Sequence, residues 1–125
     1  MIEYKVQVYT NGNKEWRFNG KLHRKDGPAV EFLDGDKYWW SNDKLHREDG
    51  PAVEYASGTK VWFLNGKYHR EDGPAIECSN GHKEWYLNGE PLTEEDFNNR
   101  HNVELTLEEI ANKFNIPLDK LRIKK

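Results

Sequence analysis

The chain has 125 residues and a net charge of −3, with 33% charged and only 35% hydrophobic residues. This composition leaves too little apolar material for an ordinary two-layer core, and the charge argues against an overall basic surface for nucleic acid. The single cysteine, Cys78, excludes an intrachain disulfide. The start of the chain has no apolar signal segment, and nowhere do 18 apolar residues run together. We therefore expect a cytoplasmic protein, in a reducing compartment, with no membrane span.

The first predicted element is a strand from Glu3 to Tyr9. Apolar Tyr4, Val6 and Val8 alternate there with polar residues, which is the pattern of a strand with one apolar face. This strand leads into a repeat that covers most of the rest of the chain.

The repeat has a period of 23 residues without insertions. Its most conspicuous stretch begins at His23, His46 and His69, and reads His-Arg-Glu-Asp-Gly-Pro-Ala-Val-Glu in the middle copy. Tryptophan, asparagine, glycine and lysine recur at the same spacing, so four copies are present and the outer two are incomplete. The recurring residues are Trp16, Trp39, Trp62 and Trp85; Asn19, Asn42, Asn65 and Asn88; Gly12, Gly35, Gly58 and Gly81; and Lys14, Lys37, Lys60 and Lys83.

Each copy predicts a β-hairpin. In the second copy, residues 29–32 and 37–41 are rich in strand-forming residues, and Gly35 lies in the turn between them, where positive φ is easy for glycine. The next turn is Asn42-Asp43, and the other copies have Asn-Gly there, the strongest short hairpin signal. Asp-Gly-Pro then redirects the chain into the next copy.

Alternation along the strands predicts two different faces. The repeated tryptophans should form a ladder on one face. The residues that follow them vary between copies and should line the opposite face; they are Arg17, Trp40, Phe63 and Tyr86.

The stretch from Trp62 to His69, with the following Gly73, resembles the 23-residue MORN repeat and its aromatic-x-x-Asn-Gly-Lys-x-His-Gly core. The glycine after the histidine is replaced here by Arg24, Arg47 and Arg70. That variant looks like the His-Arg-Glu-Asp-Gly-Pro-Ala repeats of bacteriophage and large DNA virus proteins. The resemblance covers residues 12 to 92 and implies a single-layer antiparallel β-meander that serves as a contact surface. The fold expected is mainly β, with four hairpin repeats in residues 1–92.

After Pro91 the period fails, and residues 93–125 predict a small helical segment. Thr93 is suited to cap a first helix, and Thr106 and Pro117 begin two further helical patterns. In the two helical patterns that begin at Thr106 and Pro117, the spacing of apolar residues resembles that of a helix-turn-helix. We expect this segment to cap the repeats. If this segment binds DNA, the contacts would come from cations in the last helical pattern and just beyond it; they are Lys120, Arg122 and Lys124.

The histidine-arginine-acid stretch invites comparison with an active site or a metal site. Residues one repeat apart lie roughly 9–10 Å from each other across two strand spacings, whereas zinc ligands converge at about 2.0–2.1 Å. We therefore expect no metal and no cofactor. The aspartates before Gly-Pro suit an Asx-turn, or a bond from the neighbouring histidine or arginine. Repeated glutamates suit pairing across strands with Lys37, Lys60 and Lys83.

No spacing of nucleophiles, bases or phosphate-binding glycines predicts an enzyme. The expected function is a non-catalytic interaction module, encoded by a phage or virus, that binds and inhibits a host protein such as a bacterial defence factor, in the manner of an anti-CRISPR protein. Its predicted contact residues are Arg17, Trp40, Phe63 and Tyr86. Two alternatives stay open: a DNA-binding regulator acting through the C-terminal segment, and a nucleotide sponge that grips phosphate with Arg24, Arg47 and Arg70. A homodimer through an open sheet edge is a further expectation.

Overall fold

The computed structural model describes residues 4–100, in which short strands follow one another at the period of the repeat. One helix, α1, begins at residue 94 and is described to residue 100. The strands are β1 (Tyr4–Val8), β2 (Lys14–Phe18), β3 (Lys21–Leu22), β4 (Val30–Glu31), β5 (Lys37–Tyr38), β6 (Trp40–Ser41), β7 (Lys44–Leu45), β8 (Val53–Glu54), β9 (Lys60–Val61), β10 (Phe63–Leu64), β11 (Lys67–Tyr68), β12 (Ile76–Glu77), β13 (Lys83–Leu87) and β14 (Glu90–Leu92).

All strand pairs within the described residues are antiparallel, and the long sheet runs in the order β1-β2-β4-β5-β8-β9-β12-β13-β14. Hairpins β6–β7 and β10–β11 are separated from β5 and β9 by a single tryptophan, Trp39 or Trp62. Successive hairpins are joined by backbone bonds, such as that from the Gly66 N–H to the Leu45 carbonyl at 2.8 Å. The predicted mainly-β antiparallel meander is confirmed.

The turns have the backbone that their sequences predict. Asn65 and Gly66 take φ values of 50° and 79°, and the same pair of positive angles recurs in each copy, including Asn42 and Asp43 at 50° and 64°. These are the two positive φ values of a type I′ hairpin turn. At the other turn, Gly35 has a φ of 105°.

Strand register sorts the side chains into two rows. In one row lysine and glutamate alternate across neighbouring strands, because Glu54 lies opposite both Lys37 and Lys60. The predicted pairing of the repeated glutamates with lysines is therefore confirmed at the level of register. In the other row the inner residues are apolar, with Val53 opposite both Tyr38 and Val61, and glutamates lie at the two ends, Glu15 opposite Val30 and Glu84 opposite Ile76.

The buried core of the sheet is small. Fully buried alanines recur at one position of the repeat, and the valines beside them are nearly as enclosed; together the buried apolar residues of the sheet are Ala29, Val30, Ala52, Val53, Val61 and Ala75. Each repeat supplies only a few small side chains, so burial alone gives a thin layer of this kind little stability. Hydrogen bonds between the copies supplement it.

Side chains in the glycine turn link each copy to the next. The Asn13 side-chain oxygen accepts a hydrogen bond from the Leu33 N–H at 2.9 Å, and Asp36 accepts one from the Ala56 N–H at 2.7 Å. Thr59 does the same for the next copy at 3.0 Å. An acceptor at one position of the repeat thus satisfies an otherwise unpaired turn amide one repeat away.

The chain divides into two units, residues 1–92 and 93–125. In the second unit, the predicted cap of α1 is present: the Thr93 hydroxyl accepts the Asp96 N–H at 3.1 Å, and its carbonyl accepts the Phe97 N–H at 3.0 Å. The helices predicted at Thr106 and Pro117, together with Lys120, Arg122 and Lys124, lie outside the described residues. In the part of the chain that is described, no helix has the length and apolar character needed to cross a membrane.

Candidate functional site

The repeated arginine lies flat over the repeated tryptophan of its own hairpin. The distances from the guanidinium carbon to the centre of the indole are 3.9 Å for Arg24 over Trp16, 4.0 Å for Arg47 over Trp39 and 3.8 Å for Arg70 over Trp62. This is the geometry of a cation–π contact. We call the surface that carries these three pairs the arginine face.

Several donors of each guanidinium are already bonded within the chain. The Arg47 Nη1 donates to the Pro51 carbonyl at 3.1 Å, and the same bond recurs at the same distance in the other two copies. Its Nε donates to Asp49 at 3.1 Å, and its Nη1 lies 3.6 Å from Glu54. The arginine therefore connects the tryptophan of its own copy to the turn that follows and to the first strand of the next copy. A phosphate bound there would compete with two carboxylates.

The glycine before the proline gives this arginine its space. A Cβ added at Gly50 would lie 2.9 Å from the Arg47 guanidinium carbon, and the equivalent glycines give 2.8 and 2.9 Å. The backbone must therefore pass close to the guanidinium plane, which explains the recurrence of glycine at this position of the motif.

The aspartates of the motif bond to the neighbouring arginine, which was one of the two expectations from the sequence, and not to the backbone as in an Asx-turn. The Oδ1 atoms of Asp49 and Asp72 accept from the arginine Nε two residues earlier, at 3.1 and 2.9 Å. Asx-type bonds to the backbone occur instead in the glycine turn, where the Asp36 N–H donates to Asp34 at 3.0 Å. The charged arginine is the stronger donor, so it engages the aspartate carboxylate.

The repeated histidines connect neighbouring copies. The Nδ1 atom of His46 accepts the Asn65 N–H at 2.9 Å, and His69 accepts the Asn88 N–H at the same distance. His23 makes a longer contact with the Asn42 N–H, at 3.3 Å. In residues 4–100 no three histidine, cysteine or acidic side chains lie close enough to hold a metal ion.

Two shallow grooves lie between successive copies along the row of arginines, with volumes of about 800 and 650 Å³. The first extends to β6, where Trp40 and Ser41 also line it. Their walls alternate arginine or histidine with exposed acids such as Asp49 and Asp72. Because the cations already pair with these acids, the grooves present a balanced polar surface rather than a concentrated charge.

The opposite face carries the predicted contact residues. Each lies across a hairpin from an apolar partner: Arg17 from Leu22, Trp40 from Leu45, Phe63 from Tyr68 and Tyr86 from Pro91. We call these eight residues the aromatic strip.

Direct ring contacts within the strip run through a residue that the sequence did not single out. The Tyr68 ring centre lies 4.7 Å from that of Phe63 and 4.9 Å from that of Tyr86, and 37% of Tyr68 is exposed. Tyr68 comes from the return strand of its hairpin, at a position occupied by leucine in two other copies. Cross-strand register was the signal that would have identified it.

Charged groups lie at both ends of the strip. The Arg17 Nη1 donates to the Gly20 carbonyl at 3.1 Å, and its Nη2 lies 3.4 Å from Glu15. At the other end the Tyr86 hydroxyl donates to Glu84 at 3.2 Å. Desolvation of the phenol and the neighbouring Glu84 carboxylate raise the pKa of Tyr86 above its usual value.

A second ring cluster lies along the same face. The Tyr38 ring contacts both Phe32 and Tyr55 edge-on, with centres 5.5 and 6.0 Å apart. Burial, together with a hydrogen bond to Tyr55, raises the pKa of Tyr38 to about 12. Glu15 and Arg17 lie on one face of β2, because side chains two positions apart in a strand share a face. Tyr38 and Trp40 occupy the same positions one repeat later. The Tyr38 cluster therefore lies beside the aromatic strip.

Comparison with family models, with curated proteins and with solved structures finds no significant match to this chain. The functional argument therefore rests on the two faces of the sheet.

Proposed function

We propose that this chain is a non-catalytic interaction module that binds another protein through the aromatic strip. The observation that carries the proposal is the row of rings in contact, Phe63, Tyr68 and Tyr86, which lies at the surface of one face. Tyrosine, tryptophan and arginine supply most of the binding energy at protein interfaces. The strip offers these residue types on a regular sheet.

The strip is held in place before any partner arrives. Turn acceptors and histidines bond each copy to the next, and the Asn-Gly turns fix the ends of the hairpins. A surface that is already ordered loses little conformational entropy on binding, so more of its contact energy appears as affinity.

The variation along the strip supports recognition of one particular partner. Its four predicted members differ in size and polarity between copies, whereas the tryptophan and arginine of the opposite face stay the same. The resemblance to repeats of phage and large DNA virus proteins points to a host protein as the partner, and we propose a bacterial defence factor that is inhibited when the strip covers its surface. Inhibition by coverage needs no reaction at the strip.

Capture from a bacterial host lysate with two variants tests the proposal. The first variant combines Trp40→Ala with Tyr68→Ala, which removes two rings from the strip. The matched control is Leu33→Ala, which truncates a side chain that is 75% exposed and lies in a turn outside the strip. Circular dichroism of each variant establishes that the sheet is retained.

We expect the wild-type chain and the control to capture the same protein and the double variant to lose it. Calorimetry with the purified captured protein should give a dissociation constant at least about 30-fold larger for the double variant than for the wild type. This is the effect expected when an interface loses one dominant ring. Equal affinity of a folded double variant and the control, or no protein captured by the wild-type chain, would contradict the proposal.

A further inference from the structure

The first strand of the sheet exposes a row of apolar side chains. Tyr4, Val6 and Val8 alternate along β1 and are 52%, 52% and 58% exposed. The ring contact described for this row is with β2: the centre of the Tyr4 ring lies 4.8 Å from that of Phe18. Within residues 4–100, β1 pairs with β2 and with no other strand.

The two ends of the strand order differ in how the edge is protected. At the far end β14 contains Glu90 and Pro91, and proline or charge on an edge strand blocks further pairing. The β1 edge has no proline, and its one charged residue, Lys5, lies on the face opposite the apolar row.

The backbone of the apolar residues points outward from this edge. The Tyr9 N–H donates to the Asn13 carbonyl at 2.9 Å, which makes Tyr9 and Asn13 a hydrogen-bonded pair between the two strands. In an antiparallel ladder such pairs alternate, so Lys5 and Gln7 also bond toward β2. The N–H and C=O groups of Tyr4, Val6 and Val8 are then directed away from β2.

The strand is complementary to itself in one register. With a second copy antiparallel and Val6 opposite Val6, Tyr4 lies opposite Val8 and Lys5 opposite Gln7. All three apolar positions then meet on one face, no like charges face each other, and the outward backbone groups of both copies meet. Centring the pair on Lys5 would oppose two lysines, and would also bring together residues whose backbone groups point inward.

We propose that β1 pairs with β1 of a second copy of this chain, about a two-fold axis at Val6, to form one continuous sheet. The three outward pairs supply about six backbone hydrogen bonds, two for each pair. A two-fold axis normal to the sheet places the same face of both copies on the same side, so the dimer presents two aromatic strips together. The pairing itself does not depend on the proposed function of the strip.

The test measures the mass of the full chain by sedimentation velocity from about 5 μM to 1 mM, because an interface of one strand from each copy lies at the small end of the size range. The wild-type mass should rise from 14.8 kDa toward twice that value. The variants Val6→Lys and Val6→Glu each place two like charges across the axis and should remain monomeric alone. Mixed in equal amounts, they should form a dimer, because lysine then faces glutamate. The control Leu33→Lys changes an exposed apolar side chain away from the edge and should dimerise as the wild type does.

Each contrary outcome overturns the proposal. A wild-type chain that is monomeric at 1 mM excludes the dimer, and if Val6→Lys then lowers its melting temperature, the edge belongs to another segment of the same chain. A dimer that persists in Val6→Lys uses another surface. A mixture of the two variants that stays monomeric, although each is folded by circular dichroism, excludes the register centred on Val6.

Discussion

The two faces of this sheet are built from the same hairpins but follow different rules. On the arginine face the same tryptophan, arginine and glycine recur, and each contacts its own repeat at nearly the same distance every time. On the aromatic face the equivalent positions change from arginine to tryptophan, phenylalanine and tyrosine. The residues that stay the same from copy to copy are therefore the ones that each copy needs in order to fold and stack. Variation marks the surface that we propose is used for recognition.

Replacing one arginine on each face with alanine tests most directly whether the two faces contribute differently to stability. Arg47→Ala removes the cation–π contact with Trp39, the bond to the Pro51 carbonyl and the contact with Asp49. We expect a loss of about 2 kcal/mol in the free energy of unfolding. Arg17→Ala, on the aromatic face, removes a side chain that is 41% exposed and should cost at most about 0.5 kcal/mol. Urea denaturation measures both, and equal losses would mean that the two faces contribute alike to stability.

The close approach of Gly50 to Arg47 gives the next largest expected effect. Gly50→Ala places a Cβ within 2.9 Å of the guanidinium carbon, and we expect it to destabilise the fold by about 1–2 kcal/mol through strain or displacement of the arginine. In an Arg47→Ala background the same change should cost about 1 kcal/mol less, because the obstructing group is gone. A double-mutant cycle by urea denaturation measures this coupling. Additive effects would show that Gly50 is required for a reason other than the arginine.

Two histidines at different positions of the repeat distinguish a bond between copies from an exposed side chain. His46→Ala leaves the Asn65 N–H without its 2.9 Å acceptor and should cost about 1 kcal/mol. His82→Ala removes a histidine whose side chain is 59% exposed and whose ring contacts Glu84, two residues later. It should change the unfolding free energy by less than about 0.5 kcal/mol. Melting curves followed by circular dichroism compare the two, and a larger loss from His82→Ala would contradict the proposed bond between repeats.

The smallest expected effect is a spectroscopic one on the aromatic face. With a pKa of about 12 in the folded chain against 10.0 for an ordinary tyrosine, Tyr38 favours the folded state fully below pH 10. This contribution is lost as pH rises from 10 toward 12, because Tyr38 ionises in the unfolded chain at a lower pH than in the folded chain. Phenolate absorbance during an alkaline titration should show a late step that is absent in Tyr38→Phe. If the variant titrates as the wild type does, Tyr38 is not the late group.

Prediction from sequence was most successful where a residue constrains its own backbone. Asn65 and Gly66 adopt the two positive φ values of a type I′ turn, because asparagine and glycine tolerate them where other residues do not. Thr93 caps α1 as its position before three acidic residues indicated. The register of Glu54 against Lys60 followed from the turn between them. These features depend on a few neighbouring residues.

Prediction was weaker where a side chain chooses among partners. Asp49 was suited both to a backbone Asx-turn and to the arginine beside it, and the folded chain pairs it with Arg47. Tyr68 was not identified from the sequence. Register places it opposite Phe63, but its contact with Tyr86 in the next copy depends on the separation of neighbouring hairpins. These outcomes depend on rotamers and on the separation of strands, which the residue order alone does not specify.

The order of residues is enough to specify the 23-residue hairpin, its two turns and the antiparallel meander, because a strict period with turn residues at fixed positions leaves the backbone few other local paths. The tertiary structure decided how the His-Arg-Glu-Asp-Gly-Pro stretch is used. Its arginine lies over the tryptophan, and its histidine accepts an amide of the following repeat. Those contacts join residues that are 8 and 19 positions apart, and they form only once the strands have set the positions of these residues relative to one another.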